Sequence, residues 1–175
     1  MKLEEKIEKV KKGELKFSDL LNLDSKKIAA LLLLGHTYYA QGQLDEARKV
    51  FEGLALLDGK NAYVHGILGS IYQQQERFDL AIARYTMALT NFPEDINSLA
   101  NRGEVYLRLG KFKEAADDLK RAIDLDPEKI HPAANRARML IAITQEALKL
   151  VQEKGVEGLV EEKRLAESAL NAKDV

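Results

Sequence analysis

Three histidines are the residues of this chain best suited to chemistry, because histidine serves both as a general base and as a metal ligand. His36, His65 and His131 do not have the short spacing of a zinc motif. The chain has no cysteine, which excludes a thiolate metal site and a cysteine nucleophile. The sequence also lacks a glycine-rich phosphate loop and a Ser-His-Asp arrangement that folding would assemble. We therefore expect no cofactor, no metal and no enzymatic activity.

Acidic pairs, of which two serve as examples, are the remaining candidates for acid–base chemistry, which needs carboxylates close together. These pairs are Asp117-Asp118 and Glu161-Glu162. Both fall on helix faces that we expect to be exposed, where charged side chains are usually solvated. The acidic pairs therefore point to no reaction.

The overall charge argues against nucleic acid as a partner. The chain carries 27 basic and 28 acidic residues, which leaves a net charge of −1. Nucleic-acid binding requires a basic field that this balance does not provide.

Other features of composition predict a cytoplasmic protein. The charged first residues are not followed by the apolar run of a signal peptide. No stretch of about 18 apolar residues is present, so we expect no membrane-spanning segment. The absence of cysteine suits a reducing compartment.

A repeat of 34 residues supplies the elements that position any site. Residues 28–61, 62–95 and 96–129 align without a gap, and such a period is typical of a helical solenoid. The matching positions are 8 (Gly35, Gly69, Gly103), 11 (Tyr38, Tyr72, Tyr106), 20 (Ala47, Ala81, Ala115), 24 (Phe51, Tyr85, Leu119), 27 (Leu54, Ala88, Ala122) and 32 (Gly59, Pro93, Pro127).

Each repeat unit is predicted to contain two amphipathic helices, because apolar residues recur at helical spacing on both sides of a short break. The breaks fall at residues 41–43, 75–77 and 109–111. Glycine at position 8 lies inside the first helix, where it costs about 1 kcal/mol relative to alanine. Close approach of the paired helices is the expected compensation. The pattern predicts an all-α, single-domain solenoid.

Two flanking segments complete the domain organisation. Residues 1–27 are predicted to form an N-terminal helical segment, with Asp24 or Ser25 as the N-cap of the first repeat helix. Residues 130–154 should form a helix that caps the third unit. Residues 155–175 should contain breaks at the two glycines, a short helix over 160–169 and a frayed tail over 171–175.

The N-terminal segment carries more apolar surface than one shallow contact needs. Leu3, Ile7 and Val10 share a helix face. They either pack on the repeats of their own chain or bury against a second copy. The second alternative predicts a homodimer through the N-terminal helix.

Stacked helix pairs curve, so the first helix of each pair lines a concave groove. Positions 2, 5, 6, 9, 12 and 13 should point into it, with an apolar and aromatic half followed by a polar half. This surface suits an extended peptide. The groove residues are Ala29, Leu32, Leu33, His36, Tyr39 and Ala40; Tyr63, Gly66, Ile67, Ser70, Gln73 and Gln74; Asn97, Ala100, Asn101, Glu104, Leu107 and Arg108.

Simpler interpretations of some groove residues remain open. A shift of the helix phase by one position would make Leu32, Leu33 and Ile67 core residues. His36 either hydrogen-bonds a ligand or is packed. Tyr39 and Tyr63 are the stronger candidates, since tyrosine combines contact area with a polar tip.

The repeat pattern resembles the tetratricopeptide repeat, which implies a right-handed helical solenoid. A narrower resemblance is carried by residues 51–58 (FEGLALLD), 63–69 (YVHGILG) and 78–85 (FDLAIARY). These runs are similar to the cytosolic chaperones of type III secretion translocators. The resemblance implies a hydrophobic translocator as partner, held extended in the groove, and dimerisation through N-terminal helices. It also implies peptide pockets at Leu32, Leu33, Tyr39, Tyr63 and Ile67.

Some tetratricopeptide domains instead grip the C-terminal carboxylate of heat-shock chaperones with basic and amide side chains at set positions. Those positions hold Leu32, His36, Ile67, Asn97 and Asn101 in this chain. None of them is a cation, so this role is not expected.

Two functions therefore remain as hypotheses. The first is a secretion chaperone that binds an extended segment of an aggregation-prone partner. The alternative is a scaffold that joins folded partners in a secretion or pilus assembly complex.

Overall fold

The computed structural model describes residues 3–15 and 17–171, and in these residues every regular element is an α-helix. The side chains at 3, 17, 18, 156, 157, 159 and 161–171 are not described. The helices are α1 Leu3–Lys11, α2 Phe17–Leu20, α3 Ser25–Ala40, α4 Leu44–Leu57, α5 Ala62–Gln74, α6 Phe78–Asn91, α7 Ile96–Arg108, α8 Phe112–Asp124 and α9 Pro132–Asn171.

Three helix pairs, α3–α4, α5–α6 and α7–α8, correspond to the three repeat units, and consecutive pairs pack on one another. This confirms the predicted all-α helical solenoid. The turn inside each pair occupies the predicted break. Gly42, Glu76 and Gly110 are equivalent positions with φ of 72°, 59° and 69°. The left-handed backbone suits the two glycines, whereas Glu76 adopts it at a steric cost.

Polar side chains cap the first helix of each pair. Asp24 accepts a hydrogen bond from the Lys27 backbone N–H at 2.9 Å, which makes Asp24 the N-cap of α3. Asn61 and Asp95 perform the same function for α5 and α7. These caps satisfy N–H groups that have no partner inside the helix.

The core follows the repeat positions. Position 20 is fully buried in all three units, and the position 24 side chain fills the space beside the position 8 glycine. A Cβ added to Gly35 would lie 2.8 Å from the Phe51 ring, and one added to Gly103 would lie 2.7 Å from Leu119. Close helix approach is therefore the reason for glycine at position 8.

One predicted surface residue belongs to the interior. Asp117 is exposed as expected, but Asp118 is 4% exposed. Its carboxylate accepts hydrogen bonds from Arg102 Nε at 2.6 Å and from Arg102 Nη2 at 2.8 Å. The prediction of an exposed pair was wrong for Asp118, because a partner on α7 satisfies the buried charge. Glu161 and Glu162 lie outside the described side chains.

The N-terminal helices are attached loosely to the repeats. α1 packs on α2, and α2 makes a small contact with α4. Ile7 and Val10 are half-buried, while the side chain of Leu3 lies outside the described part of the chain.

The last helix continues the stack. α9 packs on both α7 and α8, with Ala133 and Ala137 buried and Leu140 and Ile141 partly buried against them. The helix is interrupted at Gly155, where φ is 69° and ψ is 164°. The second predicted break, at Gly158, was wrong, since the helix runs through that residue to Asn171. The predicted frayed tail began at Asn171, which is the last residue of α9; residues 172–175 lie outside the described part of the chain.

Within residues 3–15 and 17–171, no helix combines the length and the apolar character needed to cross a membrane. The same part of the chain contains no group of three histidine or acidic residues that could hold a metal ion.

Candidate peptide-binding groove

Two adjoining pockets lie along the first helices of the repeat units. The Tyr63 pocket has a volume of about 270 Å³ and the Arg108 pocket one of about 540 Å³. Ser70 and Asn101 line both pockets, which makes them one continuous groove. The Tyr63 pocket is lined by Tyr63, Gly66, Ile67, Ser70, Asp95, Asn97, Ser98 and Asn101. The Arg108 pocket is lined by Tyr39, Leu44, Ser70, Gln73, Gln74, Glu76, Asn101, Glu104, Arg108 and Arg136.

Tyr63 projects from α5 and is 54% exposed. Its hydroxyl lies 2.5 Å from His36 Nε2, and the His36 ring meets the Phe51 ring edge-on at 5.3 Å. Partial burial raises the pKa of Tyr63, so the hydroxyl keeps its proton at neutral pH. His36 is thus packed between two aromatic rings, and it holds Tyr63 in place beside the pocket.

Gly66 makes room on the floor of the Tyr63 pocket. A Cβ at this position would lie 3.2 Å from Ser98 Oγ and 3.6 Å from Asp95 Oδ2. Ser98 and Asp95 line the pocket from α7 and its N-cap, and the sequence pattern did not select them. Any side chain larger than glycine would narrow the pocket here.

Leucines of α3 take two different positions. Leu33 is 70% exposed one turn before His36, and Ala29 one turn earlier is also exposed, but neither residue lines the Tyr63 pocket or the Arg108 pocket. Leu32 is half-buried and lines a separate cavity of about 410 Å³ with Leu54 and Val64. Leu32 therefore does not share a pocket with Tyr63. Its side chain packs against the core, which matches the simpler of the two interpretations.

Amide and hydroxyl groups line the floor of the Arg108 pocket. The buried Tyr85 hydroxyl donates to Gln73 Oε1 at 2.7 Å and lies 3.2 Å from Ser70 Oγ. Asn101 donates from Nδ2 to Ser70 Oγ at 3.3 Å. Burial raises the pKa of Tyr85, so this hydroxyl is a neutral donor. These hydrogen bonds hold polar side chains in place, and an extended peptide backbone could hydrogen-bond to them.

A second tyrosine closes the α3 side of this pocket. Gln74 donates from Nε2 to the Tyr39 hydroxyl at 2.5 Å. Burial raises the pKa of Tyr39, although the Gln74 bond opposes that shift. Tyr39 is half-buried and lines the pocket.

Arg136 is a further groove residue that the repeat positions missed, as are Leu44 and Glu76 in the same pocket. It enters from α9, with Nε 3.6 Å from Glu104 Oε2 and Nη2 donating to Asn101 Oδ1. A signal was available in the sequence, because Ala137 stands 34 residues after Gly103 and continues position 8. Treating residues 130–154 as the start of a fourth unit would have placed α9 beside the groove.

The same helix covers two residues that were expected to face the groove. Ala100 is fully buried, and Leu107 packs against the cluster that contains Ala133 and Ala137. Neither residue lines the groove, because α9 packs on α7; Ala100 is removed from solvent and Leu107 is partly buried. Glu104 and Arg108, on the same helix, remain accessible in the groove.

The other two histidines have structural partners. His65 is 1% exposed, and its Nε2 lies 2.9 Å from the Gly59 carbonyl oxygen. His131 accepts a hydrogen bond at Nδ1 from the Ala133 backbone N–H, at the start of α9. Neither residue lines the groove.

The fold and the open groove define a helical-repeat protein. Two sequence profiles described as tetratricopeptide repeat match residues 32–96 and 68–142, which together span more than half of the chain. The chain belongs to the tetratricopeptide repeat family.

Solved structures of similar shape include proteins of type III secretion. A T3SS complex from Aeromonas hydrophila matches with a TM-score of 0.72 and 25% identity, covering 82% of this chain and 97% of that one. PcrH in complex with the chaperone binding region of PopD matches with a TM-score of 0.65 and 26% identity, covering 71% and 96%. The Yersinia enterocolitica type III secretion translocator chaperone SycD matches with a TM-score of 0.64 and 27% identity, covering 75% of this chain and 98% of that one.

Other neighbours have different partners. The first tetratricopeptide domain of Spaghetti (RPAP3), bound to the HSP90 peptide SRMEEVD, matches with a TM-score of 0.64 and 25% identity, covering 72% of this chain and 96% of that one.

Among curated proteins, the U-box domain-containing protein 70 of Oryza sativa is 31% identical over 98 residues, which is 56% of this chain and 12% of that protein. The chain spans about a tenth of the length of such curated relatives.

Proposed function

We propose that this protein is a cytoplasmic secretion chaperone that holds an extended segment of a hydrophobic translocator in its groove. The observation that carries the proposal is the continuous groove formed by the Tyr63 and Arg108 pockets. Its aromatic end would take bulky apolar side chains of the bound segment. Its amide and hydroxyl groups would hydrogen-bond the backbone between them.

Exposed apolar side chains at the aromatic end support a protein partner. Leu33 and Tyr63 lie on the first helices of neighbouring units and remain 70% and 54% exposed. Large side chains that stay in solvent beside a pocket are typical of binding anchors. The likeness to PcrH, a chaperone seen with a segment of PopD, supports an extended peptide as the ligand.

The test measures binding of unfolded and folded partners by the full chain. The gene products encoded beside this protein are expressed with it, and co-purified partners are cut into overlapping peptides for titration by fluorescence anisotropy. We expect one short segment with apolar anchors to bind. The substitutions Leu33→Ala and Tyr63→Ala should each weaken that segment by about 1–3 kcal/mol.

Leu56→Ala is the matched control, because Leu56 is 74% exposed but lies on α4, the second helix of its pair, whereas Leu33 and Tyr63 lie on first helices. It should leave peptide binding unchanged. A partner that binds only when folded, and that is weakened by Leu56→Ala rather than Tyr63→Ala, would favour the alternative of a scaffold that joins folded proteins.

A further inference from the structure

We propose that the Arg108 pocket selects an acidic side chain, aspartate or glutamate, in the bound segment. This inference rests on the proposed peptide-binding function and adds a chemical requirement to it. An apolar anchor at the Tyr63 pocket and an acidic residue at the Arg108 pocket would together set the direction in which the segment lies.

Two arginines reach this pocket from separate helices and share one carboxylate. Arg108 Nη2 lies 3.4 Å from Glu104 Oε1, while Arg136 Nε lies 3.6 Å from Glu104 Oε2. Both distances exceed the roughly 2.7–2.9 Å of a strong charge-assisted hydrogen bond. Each guanidinium group is therefore held only loosely by Glu104.

Most of the donor capacity of these arginines is unused. A guanidinium group carries N–H donors on all three nitrogens. In the described part of the chain, the Arg108 side chain bonds to Glu104 alone. The Arg136 side chain bonds to Glu104 and Asn101. The arginine side chains are 52% and 47% exposed, against 22% for Glu104. Both guanidinium-bearing side chains are thus more accessible to a ligand than the carboxylate that they share.

A carboxylate from the bound segment fits this arrangement better than an amide. It would accept from both guanidinium groups, and bonds to a charged acceptor are about twice as strong as neutral ones. Glu76 also lines the pocket, but it is exposed in the turn after α5, and in the described residues no ion pair joins it to either arginine. The arginines are therefore available to a ligand.

The lining of the Tyr63 pocket contains a carboxylate and no arginine or lysine. Asp95 is the charged residue among those that line the Tyr63 pocket, where it caps α7 and hydrogen-bonds Ser98. An acidic side chain would be repelled there and attracted at the Arg108 pocket. This difference is what orients the segment.

Synthetic peptides test the inference before any natural partner is known. Each probe is acetylated at the N-terminus, amidated at the C-terminus, and carries two leucines on a polar background. The series places one glutamate at successive positions on either side of the leucines, and a matched series carries glutamine instead. Binding to the full chain is measured by calorimetry at low and high salt.

At one position on one side of the leucines, the glutamate peptide should bind about tenfold more tightly than its glutamine match. The preference should shrink at high salt. It should also shrink in Arg108→Gln and in Arg136→Gln, but not in Arg121→Gln, whose arginine lies outside the groove and contacts Pro93. Thermal melting checks that each variant is folded. If Arg136→Gln unfolds, Arg108→Gln still tests the inference, because the Arg108 side chain is exposed.

Equal binding of the glutamate and glutamine series would overturn the inference while leaving the peptide-binding function intact. So would a preference that persists in both arginine variants. A third series, of glutamine peptides with a free C-terminal carboxylate, tests the chain end: tighter binding of this series alone would mean that the pocket binds a C-terminus, which also overturns the inference. If no peptide of either series binds, the proposed function fails and the inference with it.

Discussion

Gly69 of α5 and Tyr85 of α6 are in such close contact that a Cβ on Gly69 would lie 2.5 Å from the tyrosine ring. Tyr85 is fully buried and cannot move away without disturbing the core of the second unit. Glycine therefore serves here to bring two helices together, although it weakens the helix that contains it.

Gly69→Ala should destabilise the protein despite the higher helix propensity of alanine. Overpacking a core costs about 1–3 kcal/mol, which exceeds the gain of about 1 kcal/mol from propensity. Chemical denaturation followed by circular dichroism measures the free energy of unfolding.

Gly53→Ala is the matched control for that substitution. Gly53 is exposed inside α4, and an added Cβ would meet nothing within 4 Å. It should stabilise the protein by up to about 1 kcal/mol. If both substitutions changed stability in the same direction, close packing would not explain glycine at position 8.

The buried ion pair between Arg102 and Asp118 predicts a large effect of a small substitution. Asp118→Asn leaves the half-buried arginine without its carboxylate, so unfolding free energy should fall by about 3 kcal/mol. Glu46→Gln, which breaks the exposed pair between Glu46 and Lys49, should cost less than about 1 kcal/mol. Similar losses in the two variants would argue against a special role for the buried pair.

Asp126 predicts a dependence of stability on pH. Its carboxylate accepts from Arg138 Nη1 at 2.8 Å and from the N–H groups of Ile130 and His131 at 3.1 Å each. Hydrogen bonding to Arg138 is the main cause that lowers the pKa of Asp126 below its ordinary value of 3.8. The folded state thus favours the ionised carboxylate. Its contribution is present above the ordinary pKa and is lost as pH falls through the lower, folded pKa.

Urea unfolding of the wild type and of Asp126→Asn, from neutral pH to about pH 3, checks this prediction. The wild type should be the more stable protein near neutral pH, and the difference should narrow at the acidic end. A difference that stays constant over the range would show that ionisation of Asp126 is not involved.

The N-terminal helix remains a candidate for a dimer contact. Ile7 and Val10 are only half-buried by the protein itself, and a second copy could cover the remainder of this face. Sedimentation of a chain lacking residues 1–22 should show a monomer where the full chain is a dimer. Ile7→Asp should have the same effect, whereas Glu4→Gln, on an exposed residue of the same helix, should not. An unchanged mass after truncation would remove the proposal.

The sequence alone was sufficient to predict which helices pair within each repeat unit. Position 8 meets position 24 of the same unit, as Gly35 meets Phe51, and such contacts lie close together along the chain. A repeated pattern of small and large residues therefore carries the information that is needed to pair the helices. The same phase also predicted that Tyr63, Ser70 and Asn101 lie near one another.

Only the tertiary structure decided which of these side chains stay accessible. Helix phase gives the direction of a side chain, but its burial depends on what packs against it. The position of α9 on α7 buries Ala100, and the same helix brings Arg136 to Glu104. Asp118 likewise could be buried only because Arg102 lies opposite it. The offset of 34 residues between Gly103 and Ala137 would have placed α9 beside α7. The repeated positions do not specify which side chains these helices bury or pair.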